Sequence, residues 1–274
     1  MRIKTMKKIN FYVVPYLMIC ILFLVLPAAA LVANSFQTGF TSLKKVLTTA
    51  FYMEGFRNSF LLAVLTTVQS SVIGGIVAIG WAKKVNRNGV LMAILNFGAN
   101  NGGISLAFSL IATLGTNGLL TILLQRMGIN ILDNFQLASF AGLNIVYISF
   151  MIPYMAIIFL PTAANIKEEW WKVSRTLGAG RFYYLRKVEG PVLLPSFMSC
   201  ACLVFLTALG TYATAQAICA DRIRMITIQI GTLIQTSVFS KEDAYTLSFL
   251  LMIVMFLVVI IYQRLNKKAG RWMK

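Results

Sequence analysis

Lys167–Pro195 reads KEEWWKVSRTLGAGRFYYLRKVEGPVLLP and lies between two long apolar runs. Ile166, Trp170, Val173 and Leu177 recur there at helical spacing on one face, while Lys167, Glu168, Lys172 and Arg175 populate the others. The spacing predicts a short amphipathic helix that stops at Gly178 and Gly180, because glycine accepts the left-handed backbone that ends a helix. A second short helix, with Phe182, Leu185 and Val188 turned inward, is expected to run to Gly190 and Pro191. A helix, a glycine bend and a second helix must bury their apolar residues against something. One reading is an interfacial helix lying on lipid; the other is a docking element that enters a groove of a cytoplasmic partner.

The flanking runs set the architecture. A bilayer core of about 30 Å needs about 20 apolar helical residues. Six runs meet that length without an internal charge: Phe11 to Ala33, Ser59 to Trp81, Val90 to Leu114, Ala141 to Ala164, Leu193 to Ala217 and Ala244 to Tyr262. Gly118 to Leu124 is apolar but short, with Arg126 close behind, and reads as a partial or re-entrant helix. Arg2, Lys4, Lys7 and Lys8 ahead of the first run also suit a secretory leader. That run exceeds the ~7–15-residue core of such a leader, which favours a retained span. The fold expected is all-α, one transmembrane domain over residues 1–274.

Basic residues orient it. The N-terminus, Lys83, Lys84 and Arg87, the quoted loop and the tail from Arg264 to Lys274 share one side and hold 18 of the 25 Lys and Arg. The other side holds Lys44, Lys45, Arg57, Arg126, Arg222, Arg224 and Lys241. Both termini are therefore expected in the cytoplasm. Tyr12, Trp81 and Trp272 sit near span ends, where aromatic rings anchor at the interface.

Composition agrees. Hydrophobic residues make up 58% and charged residues 12%, against about 25% charged in a soluble domain. The formal net charge of +17 is thus distributed in loops between apolar spans, and no nucleic-acid-binding motif accompanies it. Cys20, Cys200, Cys202 and Cys219 lie in apolar runs without metal-ligand spacing, so no metal site is expected. The sequence has no histidine, which removes the commonest general base and argues against a membrane-embedded enzyme. It also has no G-x-x-x-x-G-K-[ST] phosphate loop.

The quoted loop resembles the cytoplasmic signature of the membrane-spanning permease subunits of binding-protein-dependent ABC importers. That signature has the form E-A-A-x-x-x-G with an I-x-L-P-like ending. Lys172, Val173, Ser174, Arg175, Thr176, Leu177, Gly178 and Ala179 occupy its positions, and Val188, Pro191 and Pro195 match the trailing part. Lys172 stands where the family has glutamate, and Val173 and Ser174 stand where it has alanines. Glu168, one turn earlier on roughly the same face, is the candidate replacement carboxylate. The resemblance implies the type I importer permease fold of six transmembrane helices with a cytoplasmic coupling helix, in a bacterial cytoplasmic membrane. It also implies a coupling loop over Glu168, Trp170, Lys172, Ser174, Arg175, Gly178, Ala179 and Arg181. The implied partners are ABC ATPase subunits that hold ATP and Mg, a second permease completing the pore, an extracytoplasmic solute-binding protein and the lipid bilayer. No cofactor is expected on this chain.

Polar residues within spans indicate a pore. Asn96, Asn100 and Asn101, with Gly98, Gly102, Gly103 and Ser105 around them, weaken a regular helix. Irregular backbone at membrane depth is tolerated where it faces protein or water. Helix packing through small residues is the other reading. Thr207, Thr211, Tyr212, Thr214 and Gln216 at the end of the fifth run resemble the gate segment of permeases of the polyamine, opine, phosphonate, thiamine and iron(III) group. Met225 to Gln235 reads as a short outer helix. The resemblance points to polyamine-like solutes (spermidine, putrescine), with phosphonate, thiamine or iron(III) as alternatives. No acid lies well inside a span, which counters a polycation path. An ion-coupled secondary transporter or a channel subunit is the competing function, although it would ordinarily show intramembrane charges and internal repeats.

Overall fold

The computed structural model describes residues 14–37, 40–85, 89–129, 135–220, 222–236 and 241–269. The basic N-terminal residues, Phe11, Tyr12, Arg87, Asp133, Asp221 and the residues beyond 269, Trp272 among them, lie outside those described. All regular structure among the described residues is helical. The chain runs through α1 (Val14–Cys20), a π-helical turn (Ile21–Val25), α2 (Leu26–Gln37), α3 (Phe40–Thr48), α4 (Ala50–Val85), α5 (Gly89–Asn100), α6 (Ile104–Leu114) and α7 (Leu119–Arg126). It continues with α8 (Phe140–Ala164), α9 (Glu168–Thr176), α10 (Arg181–Tyr184), a second π-helical turn (Leu185–Glu189), α11 (Gly190–Gly210), α12 (Ala213–Cys219), α13 (Ile226–Thr236) and α14 (Lys241–Ala269).

The hub is α8. Its residues are apolar on every side, so it has no solvent face to present and becomes the buried helix of the bundle. Val146, Tyr147, Met151, Met155 and Phe159 are fully enclosed. Alongside it runs α4, and a Cβ on Gly74 would stand 2.7 Å from the Ile152 carbonyl oxygen and 2.8 Å from Met155 Cβ, so the two helices meet at backbone distance. Higher in the same contact Asn144 is a polar hub. Thr66 Oγ1 donates to its Oδ1 at 3.0 Å, and its Nδ2 donates to Gln69 Oε1 at 2.9 Å. Hydrogen bonds of this kind hold transmembrane helices in register. α11 covers the other flank of α4 and α8, with Phe197 edge-on to Phe159 at 5.5 Å.

At the opposite end of α4, Lys45 Nζ donates to the buried Asp243 carboxylate at 2.6 Å and the Tyr52 hydroxyl donates to it at 3.2 Å. This ties α3 and α4 to the first turn of α14. Helix α13 lies where the sequence predicts an outer helix, with Gln229 Nε2 donating to the Phe51 carbonyl at 2.8 Å. Helices α1 and α2 stand apart, with no buried residue in α1 or the π-turn, and rest on α14 through contacts such as Phe36–Phe249. Apolar side chains exposed all round a helix are stable only in lipid or against another subunit.

Among the described residues, six stretches are long and apolar enough to cross a membrane: Val14–Phe36, Ala50–Ala82, Ile104–Arg126, Phe140–Ala164, Arg181–Gly210 and Lys241–Asn266. Two expectations are corrected. The third span is not one helix from Val90 to Leu114. It breaks after Asn100, where Gly103 takes φ +84°, and the stretch of spanning length runs on through Gly118–Leu124, the segment read as partial. α5 lies beside the C-terminal half of α8, with Gly98 against the Pro153 ring. The fifth span likewise stops at Gly210 instead of Ala217: Thr211 is extended at ψ 115°, and α12 starts a new direction.

Candidate functional site

The quoted loop folds as two short helices joined at glycine. α9 ends at Thr176 with Leu177 as its cap, after which Gly178 adopts φ +79°, a left-handed conformation suited to glycine. The Gly178 amide donates to the Arg175 carbonyl at 3.0 Å and the Ala179 amide to the Ser174 carbonyl at 3.1 Å, which together close a Schellman motif. Ser174, Arg175, Gly178 and Ala179 thus build the bend, and Arg181 opens α10. Glu168 and Glu169 occupy the first turn of α9, where the helix dipole favours negative charge.

The orientation of the second helix departs from expectation. Phe182 is 77% exposed instead of inward, and Tyr184, 4% exposed, is the residue that turns toward the protein. Its ring packs edge-on against Trp171 at 5.3 Å. The reason is tertiary: α10 lasts a single turn, and the ends of α4 and α8 cover the side of it that carries Tyr184, not the side that carries Phe182. Trp170, Val173 and Leu177 do share a face of α9, but that face is bare, with Leu177 82% exposed. Glu168 and Trp171 point the other way, into a cavity between the loop and the ends of α4 and α8. Lys172 is exposed.

The structure divides the pore candidates into three groups. At the break in the third span, the Gly103 amide donates to Thr214 Oγ1 at 2.9 Å, and the Thr211 carbonyl accepts from the Tyr147 hydroxyl at 3.2 Å. The two helix breaks, at 101–103 and 211–212, are therefore joined, with Asn101 beside them and Ser105 in the following turn. Tyr212 instead faces α13 and α14. It lines a cavity of about 430 Å³ with Gly231, Gln235, Met252 and Met255, and its ring fills the space a side chain on Gly231 would need. Asn96 and Asn100 project from the exposed side of α5, apart from both. Their Nδ2 atoms donate to the Met92 and Asn96 carbonyls at 2.9 Å each. Thr207 and Thr211 hydroxyls donate to the Leu203 and Thr207 carbonyls at 2.8 and 2.6 Å. Gln216 Oε1 is buried without a hydrogen-bond partner.

The sequence profile of the family described as binding-protein-dependent transport system inner membrane component matches residues 6–273. The chain belongs to that family. This permease is 26% identical over 214 residues to the molybdenum transport system permease protein ModB of Azotobacter vinelandii, covering 76% of this chain and 92% of that protein. It is also 26% identical over 166 residues to the spermidine/putrescine transport system permease protein PotB of Haemophilus influenzae, covering 58% of this chain and 55% of that one. In fold the permease is similar to a bacterial ABC transporter involved in the import of the acidic polysaccharide alginate, with TM-score 0.73, 16% identity and 94% of each chain covered. The MetNI methionine ABC transporter in inward-facing conformations gives TM-score 0.59 at 19% identity, covering 79% of this chain and 95% of that one.

The chain is thus a permease subunit of an ABC importer, embedded in the membrane through its apolar helices. Several groups that shape the permease escaped the reading of its sequence. Thr66, Gln69 and Asn144 look like isolated polar residues in apolar runs until α4 and α8 meet. Tyr184 and Trp171 were visible only as two aromatics among five in the loop. Asp243 sits at a span end, where a carboxylate ordinarily signals solvent.

Proposed function

We propose that this permease forms half of a translocation pore with a second permease and is driven through α9, which enters a groove on a separate ATPase subunit holding ATP and Mg. A solute-binding protein on the extracytoplasmic side delivers the solute, and both termini face the cytoplasm of a bacterial cell. The bare face of Trp170, Val173 and Leu177, continued by Phe182 and Tyr183 on α10, carries this reading. Apolar side chains on a short helix whose bend is fixed by backbone bonds form a preorganised insert for a groove, and each one buried there contributes about 1.5–3 kcal/mol. ATP-driven closure of the ATPase would move α9 and α10 as one unit and, through α11, rock the broken helices that join at Gly103 and Thr214.

The solute we propose is a polyamine-like amine. The relatives divide between molybdenum and spermidine/putrescine transport, and the donor and acceptor inventory supports the second. A backbone carbonyl only accepts, so the amide nitrogens of Asn96 and Asn100 must face their own helix, which leaves Oδ1 turned outward. Thr207 and Thr211 spend their protons the same way, and the buried Gln216 Oε1 awaits a donor. Acceptors at these positions, with Asn96 and Asn100 apart from the others on the exposed side of α5, suit a solute rich in N–H donors, whereas an oxyanion needs donors from the protein.

A mild-detergent pull-down of the tagged chain with mass spectrometry tests the coupling. Recovery of a P-loop ATPase from wild type, and its loss in Leu177→Asp/Phe182→Asp with the permease still folded, is the expected result. An unchanged ATPase yield from the double variant would overturn the docking of α9. Solute class is tested by thermal shift of the co-purified binding protein with spermidine, putrescine, molybdate, phosphonate, thiamine and iron(III).

A further inference from the structure

Tyr212 sits in the break between α11 and α12 but points away from the third span, toward α13 and α14. The break has two sides. On one, Thr214 Oγ1 accepts from the Gly103 amide and the Thr211 carbonyl accepts from the Tyr147 hydroxyl, which joins the break to α6 and α8. On the other, α13 holds it at two neighbouring points: Thr227 Oγ1 donates to the same Thr211 carbonyl at 3.3 Å, and one turn further along α13 the Tyr212 ring lies over Gly231. α13 is itself anchored on α4, where the Ile226 amide donates to the buried Ser59 Oγ at 2.9 Å and Gln229 Nε2 donates to the Phe51 carbonyl at 2.8 Å.

The seat of the ring fits glycine alone. A Cβ on Gly231 would stand 2.6 Å from Tyr212 Cε2 and 2.9 Å from Cζ, well inside the ~3.5–4.0 Å optimum of a carbon contact. Gly231 lies within α13 and has no left-handed φ, so the backbone does not call for glycine there; the ring does. The Tyr212 hydroxyl accepts from Gln235 Nε2 at 3.5 Å, the long limit of a hydrogen bond, so shape holds the ring in place. Beside the ring the cavity of about 430 Å³ lies between α13 and α14, which is the size of a small ligand pocket (~300–1,000 Å³). Its walls include Met252 and Met255, whose flexible thioether chains repack readily. A displaced ring therefore has room without parting the two helices.

We propose that Tyr212 is the locking residue of the broken fifth span. With its ring seated on Gly231, α13 holds the 211–212 break in the arrangement that joins Thr214 to Gly103. With the ring swung into the cavity, the break and α12 are free to move. Tyr212 is thus a positioning residue for transport and not part of the solute lining. Its consequence for ATP-driven transport rests on the rocking of the broken helices proposed above; the lock itself stands without that reading.

Cys219, the last residue of α12 and 1% exposed, reports on the lock. With Cys20, Cys200 and Cys202 replaced by alanine, a soluble maleimide should label Cys219 of the full-length permease slowly, in proportion to how often α12 opens. Gly231→Ala should raise that rate several-fold by pushing the ring off its seat, and Tyr212→Ala should do so by removing the ring. The double variant should label no faster than Tyr212→Ala, and Tyr212→Phe should stay near wild type. The sign discriminates, because alanine is the better helix former and without a lock Gly231→Ala would firm α13 and slow the labelling. In the assembled complex in liposomes, the ratio of binding-protein-stimulated to basal ATP hydrolysis should fall several-fold in Gly231→Ala and be kept in Tyr212→Phe. Labelling unchanged or slowed in Gly231→Ala, or additive acceleration in the double variant, would overturn the proposal, and so would an unchanged hydrolysis ratio in a complex that retains its ATPase. Failure of wild type to recover any ATPase would instead refute the docking of α9, and labelling of the permease alone would still decide the lock.

Discussion

Replacing Gly178 probes the bend and nothing else. Its φ of +79° lies in the left-handed region, and an added Cβ would meet nothing within 4 Å, so substitution carries a backbone cost with no clash. For an ordinary L residue that cost is about 1–2 kcal/mol, which at 1.4 kcal/mol per tenfold corresponds to a population change of roughly 5–30-fold. Asparagine tolerates this region better because its short side chain bonds locally, and a β-branched residue tolerates it worse. The two Schellman bonds, Gly178 to Arg175 and Ala179 to Ser174, should loosen in step and let α10 swing away from α9. ATP hydrolysis by the complex in liposomes, stimulated by its binding protein, is therefore expected to fall in the order wild type, Gly178→Asn, Gly178→Ala, Gly178→Val. Melting temperature should barely change, since α9 buries no residue in the bundle. Full stimulated activity in Gly178→Val, or Asn behaving no better than Val, would refute the reasoning.

Other perturbations read the bundle itself. Asn144→Leu removes both bonds that join Thr66 and Gln69 to α8, and should lower stability in detergent by about 1–2 kcal/mol given typical membrane hydrogen bonds. An unchanged unfolding midpoint would contradict that role. Gly74→Leu drives a side chain into the Ile152 carbonyl and Met155, so a loss of about 1–3 kcal/mol or more is expected, whereas Gly80→Ala should be neutral within error by the same unfolding assay. Hydrogen bonding to Asp243 holds the Lys45 ammonium above the ordinary lysine range. A raised folded-state pKa means the stabilisation is complete below the ordinary value of 10.5 and lost as pH climbs through the raised one. Wild type should therefore melt above Lys45→Met at pH 7 to 9.5, with the gap closing beyond 10.5; a gap that closes on acidification from pH 7 to 6 would show another group at work.

The presence of six spans was legible because a bilayer imposes a length and forbids unsatisfied backbone, and both constraints act on consecutive residues; the bounds of the third and fifth were not, because the breaks at 101–103 and 211–212 fall inside apolar runs with no charge to mark them. Gly178 was legible for a similar reason: a helix stop is a local event, settled by the residue that can take positive φ. The weakness of the third span around Asn100 and Gly103 could be read from composition, but its partner could not. Thr214 lies 111 positions away and meets the Gly103 amide only once α12 has turned beside α6. Asn144 was invisible for the same cause, since its partners are on α4, 75 and 78 positions earlier.

The loop shows where the boundary falls. Periodicity determined that Trp170, Val173 and Leu177 share a face, because side-chain direction along a helix follows from 100° per residue. Which face turns inward depends on what the rest of the chain offers to cover it, and the ends of α4 and α8 offer a cavity to Trp171 and Tyr184. A set of six spans, the membrane class and the bent helix pair can thus be read from residues in order. The joined breaks, the inward Tyr184 and the bare face of α9 were decided by tertiary structure, because each is set by contacts between segments that the sequence keeps apart.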